Sequence, residues 1–458
     1  MLDWRWTLTD LDIIVVGGGV AGISAALEAS GSGLSVEIIE QRPNVGGAIY
    51  RQPIDGVEAV PQPRTARARW KALFSAYRQS GIRLRHSCVF LGIDSDGLVL
   101  VEDRLHGAVV HLKARAVVIA TGAIEKILPR PGWELSGVST AGGLQVMMKE
   151  TGRPPHGRIL LAGGGPLLIA VAAQMAKLGN PPVAVVEAGD PIRHPLVTFG
   201  LFAYPRLLSE AFSYLCEMTA NRTPWLRGCV LTGVRRCDTG LEATLRDRRG
   251  QSQTIIVDRV GLHDGVRSNQ FGLPDVAMKA DARPIIMRAG DCREALGSIA
   301  AEADGRRVGR QVVNLLSGKT RALKDVDAAI AQQRRAQSLL SALFAPVDPT
   351  SPLATLPDET ILCRCEGRTI GDLRLLAQRS DGLSGREVKH NGRFSMGVCQ
   401  GRFCAANVAE VLNLISPSQA PAAANDLTGQ RWPIRPVSIG ALTRAISQHN
   451  SNDERGSK

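Results

Sequence analysis

The stretch "DIIVVGGGVAGISAALEA" (Asp12–Ala29) decides the fold. Asp12–Val16 is a short apolar run with strand character, Gly17, Gly19 and Gly22 form G-x-G-x-x-G, and Ile23–Ala29 continues as a helix. A second apolar run, "LSVEIIE", ends at Glu40, 23 residues after Gly17. Each position has a task in dinucleotide binding: Gly17 permits the tight turn, Gly19 lets backbone approach a pyrophosphate, and Gly22 lets helix and strand pack closely. The helix N-terminus offers N–H groups and the positive end of a dipole to phosphate. Glu40 stands where a carboxylate can accept hydrogen bonds from a ribose. A glycine-rich turn alone is weak evidence, but here the preceding strand, the following helix and the distant acid agree.

The pattern recurs. "GRILLAGGGPLLIAVAAQMAKLG" (Gly157–Gly179) is again strand, turn and helix, with Gly163 and Gly165 at the first two positions and Leu168 at the third. "PVAVVEAG" closes a further strand at Glu187, 24 residues after Gly163. A side chain at position 168 is expected to push the helix off the strand and alter the fit of a pyrophosphate. Glu187 would repel a 2′-phosphate, which argues against NADP. NAD, another adenine nucleotide or no ligand at all stay open for Gly163, Gly165 and Glu187.

A chain of 458 residues suggests about three domains, and a hydrophobic content of 44% allows each a core. The net charge of +12 does not point to nucleic acid: the arginines are scattered and aromatics are only 4%, so no stacking platform is visible. "MLDWRWTLTD" lacks a basic segment followed by an apolar one. The apolar run Ile13–Leu27 is broken by four glycines and is too short to cross a bilayer. A cytoplasmic protein is expected, with at most a peripheral position on the inner membrane face. Thiols there stay reduced. The isolated Cys88, Cys216, Cys229, Cys237 and Cys292 are therefore expected to be small buried side chains.

The other four cysteines cluster, in "ILCRCEGRTI" (Ile361–Ile370) and "GVCQGRFCAAN" (Gly397–Asn407). The spacing is C-x-C, 33 residues, then C-x4-C. Four thiolates can ligate zinc or a [2Fe–2S] cluster, and C-x-C is tight for zinc. "TIGDLRLLAQRS" reads as a helix with Ile370, Leu373, Leu376 and Ala377 inward, and Asn407–Ile415 as a second. Zinc, [2Fe–2S] and a vestigial module all remain open from the residues alone.

Further segments carry a resemblance. "RPNVGGAIYRQ" pairs Gly46 and Gly47, "AVVIATGA" (Ala116–Ala123) ends in Thr121-Gly122, and "RAGDCREALGSIAAEADGRRVG" brings Gly290-Asp291 and a helix. These resemble the flavoproteins with two dinucleotide domains, such as the glutathione reductase-like and ferredoxin reductase-like enzymes. The resemblance implies FAD at Gly17, Gly19, Gly22, Glu40, Gly47, Thr121 and Gly122, with Asp291 on the ribityl chain and the next helix aimed at the flavin pyrimidine. Disulfide reductases of that superfamily carry a redox cysteine pair. This chain has no C-x-x-C, so thiol–disulfide exchange is not expected. The cysteine segment resembles the ferredoxin-like domain associated with bacterioferritin, although C-x4-C is longer than that domain's C-x2-C.

The whole layout, with "ATGAIEKILPRPGWELSGVSTAGGLQ" (Ala120–Gln145) and "RPVSIGAL" (Arg435–Leu442), resembles the α subunit of bacterial heteromeric amino-acid dehydrogenases. These include opine oxidases, hydroxyproline and proline dehydrogenases, and hydrogen cyanide synthase. That resemblance implies a [2Fe–2S] cluster on Cys363, Cys365, Cys399 and Cys404, acting with FAD as an electron relay. It further implies substrate oxidation at an FMN or FAD on a partner β subunit, with room for a small ferredoxin-like γ subunit. Catalytic residues of this chain stay unknown, because the substrate pocket is expected on the partner. Arg364 and Arg402 are expected to raise the cluster's potential.

The expected fold is α/β, with two Rossmann-like domains and a small helical C-terminal [2Fe–2S] domain. The FAD domain is placed at 10–150 and 275–318, the second dinucleotide domain inserted at 151–274, a helical linker at 319–352, the cluster domain at 353–416 and a tail at 417–458. "HPLVTFGLFAYPRLLSEAFSYLCEM" (His194–Met218) reads as a core helix pair, or alternatively as a subunit interface. Competing functions are an NADH-dependent flavin reductase with an iron–sulfur outlet, and a scaffold with structural FAD and zinc.

Overall fold

The computed structural model describes residues 10–94, 97–279, 284–318, 320–348, 351–378, 383–416, 422–429 and 433–444. The polar end "NSNDERGSK" and most of the break "PSQAPAAAN" lie outside them.

The opening stretch forms strand Asp10–Val16 and helix Val20–Ser30. The strand pairs in parallel with Val36–Ile39 on one side and with the second half of the long strand Ala108–Ile119 on the other. Arg83–Arg85 extends the sheet beyond Val36–Ile39, and Ile285–Arg288 adds in parallel beside Ala116–Ile119. The first half of Ala108–Ile119 turns away into an antiparallel meander with Leu98–Asp103 and Cys88–Ile93. Side chains from both faces of the parallel part are buried, as a sheet covered on both sides requires.

The return strand Ile285–Arg288 leads into Gly290–Cys292 and helix Ser298–Ser317. This helix lies against Val20–Ser30 almost backbone to backbone. A Cβ on Gly305 would sit 2.2 Å from the Ala21 carbonyl oxygen, and one on Gly309 2.7 Å from that of Ala25. The short stretch between Pro274 and Gly290 suffices because the bridge Ala277–Ile286 and the strand follow directly.

A second parallel sheet runs Trp225–Arg227, Ala184–Glu187, Ile159–Gly163, Arg259–His263, Val138–Thr140. It carries a separate antiparallel meander over Cys229–Val257. This sheet begins earlier than the expected boundary at 151. Val138–Thr140 is its edge strand, and helix Ala141–Thr151, capped by Thr140, buries Leu144 and Met148 in its core. A two-stranded ribbon, Ala123–Glu125 with Val266–Ser268, links the two sheets.

Three further expectations are corrected by burial. The His194–Met218 segment forms helices Pro195–Gly200 and Pro205–Ala220, but the longer one buries only Met218, while Leu196, Phe199, Phe202 and Phe212 face outward. Cys216 is exposed and Cys237 half-buried, whereas Cys88, Cys229 and Cys292 are buried. Within the expected tail, Ile434 donates its N–H to the Leu91 carbonyl, and Ala441 joins Val89, Leu91, Leu100 and Val109 in a core. Among the described residues, no helix is long and apolar enough to cross a membrane.

The backbone contact between the two helices yields a prediction. Gly305→Ala places a methyl group against the Ala21 carbonyl and should destabilise the protein by about 1–3 kcal/mol, read as a lower midpoint in urea. An unchanged midpoint would mean that the helices are free to separate.

Candidate functional site

At the first turn, Gly17 has φ 107° and its missing Cβ would lie 2.5 Å from the Ala120 carbonyl oxygen. A Cβ on Gly22 would lie 1.9 Å from the Gly17 oxygen, so helix and turn touch as expected of the third glycine. Gly19 is different: among the described residues, its missing Cβ would meet only the Gly47 Cα, at 3.6 Å. The Gly46 N–H bonds to the Gly18 carbonyl, which sets the second glycine loop beside the first. Glu40 is buried and receives the N–H groups of Gly18 (2.7 Å) and Arg42 (2.9 Å). Burial raises its pKa, opposed by those two hydrogen bonds.

Thr121 and Gly122 follow the Ala108–Ile119 strand at the same end of the sheet. Gly122 has φ 72° with open space where a Cβ would be. The Thr121 hydroxyl lies 3.2 Å from both the Asn269 carbonyl oxygen and the Cys292 Sγ. Asp291 Oδ1 accepts the N–H groups of Leu296 and Gly297, shaping the loop that starts helix Ser298–Ser317. Burial raises its pKa, against the pull of those bonds. Asp304 fixes this corner from below, taking the Gly290 N–H and the Arg293 guanidinium. Sequence reasoning missed Asp304, Cys292 and Lys149. The buried Lys149 donates to the carbonyls of Ala48 and Ile49, holding the chain just after Gly47, and burial lowers its pKa to about 8. A lysine inside an otherwise apolar helix face was the available signal.

At the second turn, Gly163 is flanked by Glu187 and His263 on the neighbouring strands. Glu187 is fully buried and accepts the N–H groups of Gly165 and Gly189, both at 3.1 Å. Burial pushes its carboxyl up to about 7, against those hydrogen bonds. Leu168 is fully buried in the cluster that contains Leu144 and Met148.

The four cysteines come together. The hairpin Ile361–Cys363 with Arg368–Thr369 presents Cys363 and Cys365, and Cys404 immediately precedes helix Ala405–Ile415. The thiols influence one another electrostatically in series: Cys363 with Cys404, Cys404 with Cys399, Cys399 with Cys365. Backbone N–H groups of Ser395 and Glu366 point at Cys363, and those of Phe403 and Gly401 at Cys399. With the hydrogen bond from Cys404 as the largest cause, Cys363 falls to about 6 and Cys399 to about 5, while Cys404 is held protonated and rises. Arg393, Ser395 and Gln400 all take positive φ in the intervening loop, a strained backbone that the packing of Phe394 holds in place. Among the described residues, no group of three or more His, Cys, Asp or Glu is arranged to hold a metal ion.

This module sits on the ribbon side of the two sheets. Trp133 Nε1 donates to the Ile361 carbonyl (2.6 Å) and Asn407 to that of Ile127 (2.9 Å). Arg364 stacks over Trp133, while Arg402 stacks over Phe271, donates to the Cys399 carbonyl and stays within electrostatic range of the Cys399 thiol. Arg267, unremarked in the sequence, donates to the Arg402 carbonyl and lies within electrostatic range of Cys404.

The profile of the pyridine nucleotide-disulphide oxidoreductases matches residues 11–304, and the chain belongs to that family. It is similar to the A chain of the opine oxidase of Agrobacterium tumefaciens, 30% identical over 94% of this chain and 91% of the relative. It is also similar to hydrogen cyanide synthase subunit HcnB of Pseudomonas protegens, at 26% over 96% of this chain and 100% of the relative. Among solved structures, L-proline dehydrogenase from P. horikoshii shares the fold with a TM-score of 0.61 at 19% identity, over 95% of this chain and 79% of that one. The family places a flavin-binding fold here.

Glu187 generates a pH prediction. Its folded pKa of about 7 exceeds the ordinary 4.5, so the folded chain binds the extra proton and stability falls as pH rises across that window. The loss is on the order of 3 kcal/mol. Glu187→Gln should remove that slope when urea denaturation is measured from acid to neutral pH. Equal slopes in variant and parent would refute it.

Proposed function

We propose that the chain is the electron-transferring subunit of a heteromeric flavin-dependent dehydrogenase that oxidises the C–N bond of an opine, proline, hydroxyproline or similar amino acid. Both relatives described above are named as subunits, of an opine oxidase and a hydrogen cyanide synthase. Substrate oxidation then takes place at a flavin on a partner subunit.

In this reading FAD occupies the first turn. Gly19 leaves room for the pyrophosphate, Glu40 faces the ribose, Gly47 and Lys149 hold the second glycine loop, and Asp291 offers its carboxylate to the ribityl chain. The residues fit this group: among the described residues, the gap in front of Gly19 is bounded by glycine alone. Cys363, Cys365, Cys399 and Cys404 would hold a [2Fe–2S] cluster. Two cysteine pairs would supply the four sulfurs that two irons need beside their bridging sulfides. When bound, FAD takes up electrons in pairs and an iron–sulfur cluster passes them singly. The second turn would take an adenine nucleotide or NAD.

The observation that carries the proposal is the contact between the cysteine loop and the flavin end of the first sheet. Arg402, two residues before Cys404, stacks on Phe271 at 4.9 Å, and two residues from Phe271 the Asn269 carbonyl faces the Thr121 hydroxyl. The cysteine loop and the Thr121 corner are thus linked through a few residues, Arg402, Phe271 and Asn269.

Two variants test this. Gly19→Val has space within the protein but none beside a pyrophosphate, so it should fold normally by circular dichroism and lose FAD. Retention of FAD would remove Gly19 from the site. Cys365→Ser should keep FAD, lose the iron–sulfur absorption and stop electron flow from the partner's flavin. Parental turnover in that variant would take the cysteines off the path.

A further inference from the structure

Beside the ribbon that links the two sheets, a buried histidine is paired with a half-buried glutamate that neither flavin nor cysteine chemistry uses. His263, at the end of strand Arg259–His263, is 4% exposed. Its Nδ1 lies 2.9 Å from Glu125 Oε1, which also accepts the Gly142 N–H at the start of helix Ala141–Thr151. The opposite edge of the ring, Cδ2 and Nε2, lies 3.9 Å from where a Cβ on Gly165 would stand. Gly165 is the N-cap of the 12-residue helix Pro166–Lys177. A nine-tenths-buried imidazole therefore aims a ring nitrogen, without a partner among the described residues, at a helix N-terminus and glycine turn suited to phosphate.

We propose that His263, oriented by Glu125, is the phosphate-recognising residue of the second glycine turn, binding the pyrophosphate of an adenine nucleotide. This rests on the nucleotide reading of that turn and adds the residue that decides it. With Glu125 ionised, the proton of a neutral imidazole sits on Nδ1 and Nε2 presents a lone pair, which repels an anion. The imidazolium presents an N–H instead, and a charge-assisted hydrogen bond forms. Binding is therefore favoured by acid. Other charged groups nearby are accounted for. Glu187 lies under the same turn, bonded to the Gly165 N–H, and its protonation also favours an anion. Asp264 is engaged by Arg130, and Lys149 by the Ala48 and Ile49 carbonyls.

The test is calorimetric titration of the FAD-loaded chain with ADP at about pH 6 and about pH 8. The parent should bind more tightly at the lower pH. His263→Gln, still loaded with FAD, should bind roughly 10-fold more weakly there and show a flatter pH dependence, the size of one charge-assisted hydrogen bond. Glu187→Gln should keep the slope that depends on His263. If His263→Gln fails to fold, Glu125→Gln serves: its amide oxygen still accepts from Nδ1, but loss of the carboxylate charge should weaken acid-side binding. Parental or tighter binding by the His263 variant would overturn the proposal, the latter because the ring would then be a plug. No ADP binding by the parent at either pH would overturn the nucleotide reading itself and this inference with it.

Discussion

Backbone meeting backbone at the first glycine turn is the constraint on which the rest of the molecule depends. Gly22 lies on the Gly17 carbonyl, and Gly17 on that of Ala120. Gly305 and Gly309 press the returning helix onto Ala21 and Ala25. No side chain fits at these points, so the chain must come back from its second sheet to one position. That return delivers Gly290 and Asp291 to the end of the same sheet that carries Gly19, Gly47 and Thr121. A site assembled from residues nearly three hundred apart is thus a packing consequence of small residues.

The two turns show how one motif can diverge. Each places a buried carboxylate, Glu40 or Glu187, beneath the N–H groups of its own glycine loop. Gly22 closes the first turn against its strand, while Leu168 enters the core of the second. The second turn also has His263 at its edge, where the first has the glycine loop at Gly47. One family fold therefore offers one turn shaped by backbone and another whose chemistry depends on side chains.

Much of this was legible in the sequence, because glycine spacing and apolar runs reflect local geometry. The strand–turn–helix units, Glu40, Glu187 and the four cysteines could all be read from local patterns. What could not be read depends on distant packing. The second sheet recruits Val138–Thr140 as an edge strand through pairing with Arg259–His263, more than a hundred residues away. The His194–Met218 segment has apolar residues at helical spacing, yet several face solvent, since periodicity does not say which face is covered. Arg364 and Arg402 sit beside cysteines in sequence, but their stacking on Trp133 and Phe271 depends on distant segments and could not be read there. His263 carried no motif at all. It became visible only when its strand was placed next to Gly163.

The four cysteines are proposed to hold a two-iron cluster coupled to a flavin. The most direct measurement is metal and acid-labile sulfide content, with low-temperature electron paramagnetic resonance after dithionite reduction, on anaerobically purified chain with its partner. The account predicts about two iron and two sulfide per chain and a reduced-cluster signal. About one zinc per chain with no sulfide and no signal would contradict it.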